Sequence, residues 1–249
     1  MARTGAIRAL SIAAVLGFAL LGGDARAQTP NYAAIVAAPD RTDADRQTDK
    51  RRDPTDLLAF TGARPGMRVL DMGSGAGYST ELMARAVAPG GVVYAQDSEA
   101  MAENQKEKFG ARAMTAAMKN VVRDVRPYDD PLPPDVRDLD LVTFFFWYHD
   151  TTYLGVDRAK MDKALFNALR PGGYLILADH SAASGAGATV GKTFHRIEEA
   201  TVKQELEAAG FKLVDEGNFL HNPEDKRDTI VFKSPVPVDE FVLKFQRPQ

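Results

Sequence analysis

The sequence predicts an α/β domain built on a doubly wound, parallel sheet with helices on both faces. Three observations carry that expectation. Short apolar runs of strand length alternate with segments of helical period along most of the chain. Helical segments stop at Pro89-Gly90-Gly91, at Pro171-Gly172-Gly173 and at Gly210, as helix ends require. A glycine-rich turn joins the first strand to the first long helix.

A targeting segment precedes these elements. Arg3 and Arg8 come before an apolar stretch from Ala9 to Leu21, and Ala25-Arg26-Ala27 supplies small residues two apart. This is the layout of a secretory signal peptide cut after Ala27. At about 13 residues the stretch falls short of the ~20 that a membrane span needs. Residues 1–27 are therefore expected to be removed, leaving a periplasmic or secreted protein with no stable membrane insertion. Residues 28–53 are polar and carry both charge signs, among them Asp40, Arg41, Asp45, Asp49, Arg51 and Arg52. They read as a solvated lead-in that can also fold over a pocket.

The domain proper spans residues 54–249. Asp53-Pro54 supplies an N-cap and a proline at the first helical position, opening a helix through about Phe60. Met67 to Asp71 is a short apolar strand, and Tyr78 to Ala88 a helix with Tyr78, Leu82, Met83, Ala86 and Val87 on one face. Val92 to Gln96 is the next strand, after which Ser98 caps a helical segment that Gly110 can interrupt. Asn120 to Asp124 and Leu139 to Phe146 follow as strands. Met161, Ala164, Leu165, Ala168 and Leu169 form one buried helix face, and Tyr174 to Ala178 is another strand. A helix from Thr193 to Ala209 and strands at Phe211 to Asp215 and Glu240 to Phe245 complete the pattern.

Composition narrows the chemistry. The 249 residues are 45% hydrophobic and 26% charged, with a net charge of −3 and no cysteine. That is the profile of a globular chain. Absence of cysteine excludes disulfide frameworks, thiolate metal sites, iron–sulfur clusters and cysteine nucleophiles. The mildly acidic balance offers no general field for a phosphate backbone, so no nucleic-acid partner is expected.

The segment Asp71-Met72-Gly73-Ser74-Gly75-Ala76-Gly77-Tyr78 is the strongest functional signal. Glycines let the backbone turn sharply and approach a ligand closely, and the following helix start offers free N–H groups. The spacing is GxGxG, with Tyr78 where the dinucleotide fingerprint wants its third glycine, which disfavours a nicotinamide cofactor. Asp71 can face an ammonium group or fix the loop. Asp97, about 20 residues past Gly77 and at the end of the second strand, can accept a ribose diol.

At these residues the chain resembles the class I S-adenosylmethionine-dependent methyltransferases, from VLDMGSGAGYSTELMARAV through VVYAQD, DLDLVTFFFWYHD and LRPGGYLILADH to EFVLKF. RRDPTDLLAF, GYST, YHD and ADHSA resemble, more narrowly, a family of secreted bacterial methyltransferases. The resemblance implies a seven-stranded sheet with the last strand antiparallel. It implies that S-adenosyl-L-methionine lies over Gly73, Gly75, Gly77 and Tyr78, its methionine part near Asp71 and its ribose on Asp97. An acid after the third strand holds the adenine in such proteins; Asp124 and Asp129 both qualify, and Asp129 is preferred because Asp124 still lies in the strand.

The carboxyl ends of the fourth and fifth strands carry Tyr148, His149, Asp150, Asp179 and His180, and His195-Arg196 falls nearby, so three of the four histidines converge on one end. Methyl transfer needs an acceptor in line with the methyl group, and a base only if the acceptor arrives protonated. His149, Asp150 and His180 are the candidate catalytic residues, with His149 as base or substrate-orienting group. Arg196 can hold an anionic acceptor, although a solvated arginine at a helix end is the commoner case. No metal is expected, because hard-cation sites take more oxygen ligands than Asp150, Asp179 and His180 offer. The predicted activity is methyl transfer to a small molecule or an envelope component. The alternative is a non-catalytic protein using the same pocket for a nucleoside or thioether, motivated by a cofactor made in the cytoplasm and a chain sent elsewhere.

Overall fold

The computed structural model describes residues 1–2 and 29–249, so the expected cleavage after Ala27 lies outside the described residues. β1 (Arg68–Met72), β2 (Val92–Asp97), β3 (Val121–Val125), β4 (Leu139–Phe145), β5 (Leu169–His180), β6 (Lys212–Gly217) and β7 (Glu240–Gln246) form one sheet in the order β3-β2-β1-β4-β5-β7-β6. The first five run parallel, and β7 inserts antiparallel between β5 and β6. This is the seven-stranded sheet that the resemblance implies, with β1 and β4 adjacent at its centre.

Successive residues of a strand point to opposite faces, and here both faces are covered. Val69, Leu141, Ile176 and Val242 pack on one side with α3 (Pro54–Thr61) and α4 (Tyr78–Val87), through Leu57, Leu58, Leu82, Met83 and Val87. Leu70, Val142, Leu177 and Leu243 pack on the other with α7 (Arg158–Ala168) and α9 (Glu199–Ala209), through Met161, Leu165, Val202 and Leu206. The near-continuous apolar runs in the sequence follow from this double coverage. Among the described residues no helix is long and apolar enough to cross a membrane.

Four local expectations change. The lead-in is not merely solvated: α1 (Tyr32–Val36) and α2 (Asp43–Arg52) are helices, the second opened by a capping box between Thr42 and Asp45. Their charges meet partners far away in the chain. Arg41 and Asp49 pair at 2.8 Å, Asp45 takes Arg112 at 2.6 Å, and Asp40 takes Arg85 at 2.9 Å. Secondly, the helix after Ser98 breaks at Gln105 rather than at Gly110, giving α5 (Glu99–Asn104) and α6 (Lys106–Ala113). Thirdly, Leu169 belongs to β5, which extends through Asp179 and His180 because β7 pairs with it as far as His180↔Glu240. Finally, the helix expected from Thr193 is interrupted: α8 (Gly191–Phe194) ends at His195, which takes a left-handed conformation (φ 54), and α9 starts only at Glu199.

Candidate functional site

The glycine turn closes over the end of β1. Gly73, Gly75 and Gly77 all have positive φ, and a Cβ on Gly73 would lie 2.8 Å from Trp147 Cδ1. At that position a close approach and a left-handed backbone both demand glycine. Asp71 fixes the turn from below. Its buried carboxylate accepts the hydroxyls of Thr80 at 2.6 Å, Thr143 at 2.8 Å and Ser79 at 2.9 Å. Burial pushes its pKa up while these donors oppose the rise. These three contacts are those of a loop-fixing residue.

Asp97, fully buried at the end of β2, accepts Ser74 Oγ at 2.7 Å, the Gly75 N–H at 3.0 Å and Arg123 at 2.9 Å. Burial raises its pKa to about 6 even though all three donors oppose the rise. A carboxylate has about four lone-pair sites, so one acceptor position is left. Arg123, which the sequence reading overlooked, also stacks on Phe109 at 3.6 Å from the ring centroid. Of the acids near β3, Asp129 is held by Lys160 at 3.3 Å, whereas Asp124 Oδ2 is buried and has no hydrogen-bond partner among the described residues.

Beside the glycine turn lies a cavity of about 270 Å³, lined by Gly73, Gly75, Tyr78, Met101, Phe146 and Trp147, with Thr48, Arg51 and Arg52 of α2 on its far side. Arg52 rests 4.4 Å from the Phe146 ring centroid and 5.6 Å from that of Tyr78, and burial beside the like-charged Arg51 pulls its pKa down to about 10. Tyr78 is engaged on several sides: its hydroxyl donates to Asp49 at 2.6 Å, and Arg41 lies 5.5 Å from its ring. No spacing rule picks α2 out as a cavity wall. The run of opposite charges before Asp53-Pro54 is the one signal that could have found it.

At the ends of β4 and β5 a second group of side chains is assembled. Phe146, left-handed at φ 58, turns the chain out of β4 into a 3₁₀ turn spanning Tyr148–Thr152. Asp179 holds that turn, accepting both the backbone N–H of His149 at 2.8 Å and its ring Nδ1–H at 2.7 Å. His149 Nε2 lies 3.2 Å from both Asp150 Oδ2 and His195 Nδ1, and His195 Nδ1 lies 3.4 Å from Asp150 Oδ1. Although burial lowers the His149 pKa, Asp179 and Asp150 raise it above the ordinary histidine value; His195 is lowered by burial and by the neighbouring histidines. His180 pairs with Glu240 at 2.9 Å, and its ring packs on Phe146 at 5.3 Å and on His149 at 5.6 Å.

The structure thus brings His149, Asp150 and His180 together, adds His195 and Asp179, and links the group through Phe146 to the cavity by the glycine turn. It withdraws Arg196. That guanidinium is fully buried against Asp225, Ser181 O and Thr229 O, so it ties the β5 end to the segment before β7 and is not open to an acceptor.

Comparison with known proteins bears on family and fold. The family described as methyltransferase domain matches residues 63–231. The ubiquinone/menaquinone biosynthesis C-methyltransferase UbiE of Idiomarina loihiensis is 30% identical over 122 residues, which cover 49% of this chain and 45% of that protein. The chain therefore matches less than half the length of this curated relative. The crystal structure of an S-adenosylmethionine-dependent methyltransferase from Aquifex aeolicus superposes with a TM-score of 0.56 at 22% identity, covering 82% of this chain and 98% of that one. An arsenic(III) S-adenosylmethionine methyltransferase from Chlamydomonas reinhardtii superposes with a TM-score of 0.54 at 16% identity, over 90% of this chain and 75% of that one. At such identities the two structures speak for the fold alone. The chain belongs to the methyltransferase-domain family.

Proposed function

We propose that the protein transfers a methyl group from S-adenosylmethionine to a small molecule or an envelope component, acting in the periplasm or outside the cell after cleavage at Ala27. The supporting observation is the cavity lined by the glycine turn and Trp147, with Asp97 directly behind that turn and Phe146 joining the cavity to the His149, Asp150 and His180 group.

The residues present fit the cofactor. Asp97 keeps one acceptor position for a ribose hydroxyl. Gly73 lies so close to Trp147 that a Cβ there would come within 2.8 Å of the ring, so only glycine lets the turn pass this side of the cavity. Asp124 and Asp129 remain the two acids near the end of β3 for the adenine amine; Asp124 shares the sheet face of Gln96, opposite to that of Asp97, and Asp129 is paired with Lys160. Arg51 and Arg52 supply positive charge for the methionine carboxylate. When bound, the cofactor supplies an electrophilic methyl group on a sulfonium.

The remaining tasks fall to the protein. Phe145, Phe146 and Trp147 keep water from the reacting centre, and α2 covers the cavity from the other side. His149, Asp150 and His180 border the space where an acceptor would lie, held in place by Asp179 and Glu240. Calorimetric titration of the processed protein with S-adenosylmethionine and with S-adenosylhomocysteine tests the reading. Saturable binding of both is expected, and binding of neither would overturn it.

A further inference from the structure

We infer that His149, Asp150 and His195 form a binding site for one divalent transition-metal ion of the zinc type. Asp179 accepts the Nδ1–H of His149, which turns the unprotonated Nε2 toward the other two residues. There it meets a carboxylate oxygen and a second imidazole nitrogen, all three atoms being donors of electron pairs. Such a convergence needs a positive centre among the lone pairs, either a metal ion or a proton on His195 Nδ1.

The spacing fits an ion. Zinc bonds of ~2.0–2.1 Å at tetrahedral angles set neighbouring ligand atoms roughly 3.3–3.4 Å apart. His149 Nε2 lies 3.2 Å from both His195 Nδ1 and Asp150 Oδ2, and His195 Nδ1 approaches the same carboxylate at 3.4 Å through its other oxygen, Oδ1. Two imidazoles and one carboxylate, with a fourth position left open, match the ligand set of zinc sites that bind a substrate or water, and imidazole selects zinc, iron(II) or cobalt(II) over magnesium and calcium.

Two further features are those of a built site. Each ligand on β4's extension has a carboxylate or hydroxyl behind it: Asp179 orients His149, and the Tyr153 hydroxyl holds Asp150 Oδ1, leaving Oδ2 for the ion. His195 joins the cluster only by adopting a left-handed backbone, which is strained for a residue with a side chain and is retained where surrounding structure demands it. Asp150 and His149 are buried while His195 is a quarter exposed, so the open position faces outward on the His195 side. That side is lipped by Tyr153 and by Phe232, an exposed aromatic whose ring lies 5.1 Å from that of His195. The chemistry of the open position is that of an oxygen or nitrogen donor on an aromatic or apolar molecule.

This inference goes beyond methyl transfer and does not rest on it: zinc binding without any methylated product would still bear it out. The test is calorimetric titration of zinc into the full, untagged protein after chelator treatment. One equivalent is expected to bind, with His195→Ala, Asp150→Asn and Asp179→Asn each weakening affinity about 10- to 100-fold. His221→Ala, which removes the histidine outside the cluster, should bind as the unaltered protein does. Cobalt(II) added to the unaltered protein should give the intense visible absorption of a four-coordinate site and lose it when zinc is added, a readout that stands even if a variant fails to fold. Absence of zinc binding, wild-type affinity in a folded His195→Ala variant, or a cobalt spectrum of the six-coordinate type would each overturn the inference and leave a proton as the cation shared by the cluster.

Discussion

Asp97 accepts the Ser74 hydroxyl at 2.7 Å, so the strand end that suits a ribose also ties down the glycine turn. One carboxylate serves cofactor and loop together. Asp97→Ala should therefore weaken S-adenosylmethionine binding by about tenfold or more, since hydrogen bonds to a charged group contribute ~1.5–3 kcal/mol. Ser74→Ala should produce a smaller loss, because Gly75 and Arg123 still hold the carboxylate. Parallel calorimetric titrations of the two variants separate these outcomes.

The raised pKa of Asp97 gives a signed pH dependence. A carboxyl at about 6 in the folded protein, against an ordinary 3.8, favours the protonated fold. Its contribution to stability is complete below about pH 4 and is lost as pH rises through about 6, an upper bound near ~3 kcal/mol for roughly two units. Cofactor affinity has the opposite sign, because ribose hydroxyls donate to the ionised form; it should climb from pH 5 to about 7. The check is to compare thermal unfolding across this range with that of Asp97→Asn, which should lack the fall between about 4 and 6.

Gly73 and Gly75 differ in what surrounds them. A methyl on Gly73 would meet the Trp147 ring at 2.8 Å, whereas around Gly75 the nearest atom is a carbonyl oxygen 3.9 Å away. Both have positive φ, which costs an alanine ~1–2 kcal/mol. Gly73→Ala should add a steric loss of about 1–3 kcal/mol to that and abolish cofactor binding. Gly75→Ala should lower the melting temperature only modestly. Thermal melts with and without S-adenosylhomocysteine distinguish the two.

Arg112 is the clamp on the N-terminal helices. It binds Asp45 at 2.6 Å, also contacts Glu81, and donates to Ala76 O in the glycine turn at 3.0 Å. Arg112→Ala takes the cation from buried Asp45, which keeps its Thr42 donors, while Glu81 still has Arg85 at 2.8 Å, so the loss should fall at or below the lower end of the about 3–5 kcal/mol seen for broken buried pairs. Amide hydrogen exchange should show α2 losing protection first, ahead of the sheet.

The strands and the glycine turn were legible because double burial writes continuous apolar runs and because turns need glycine. Asp71, Asp97, His149 and Asp150 were legible by their positions at strand ends. What escaped depends on partners distant in sequence. The pairing of β5 with β7 extends the strand through His180, and nothing local to Asp179 announces it. Charges between Asp40 and Arg52 look solvated until Arg85, Arg112 and Tyr78 are brought to them. Arg196 resembled an anion anchor because its partner, Asp225, lies 29 residues away. His195 sat inside a helical pattern, and only its left-handed turn delivers its ring to His149.

The strand order β5-β7-β6 has a consequence for biosynthesis. β7 is the last of the seven strands to be made, yet it lies between two strands made earlier. Until Glu240–Gln246 leaves the ribosome, β6 cannot join the sheet and one edge of β5 stays open, with Asp179 and His180 at its end. A nascent chain can assemble β1 to β5 and its cofactor cradle while the edge beside the histidine cluster is still unmade. That edge is the surface most exposed to wrong pairing, and a helper that shields nascent chains would act on it last.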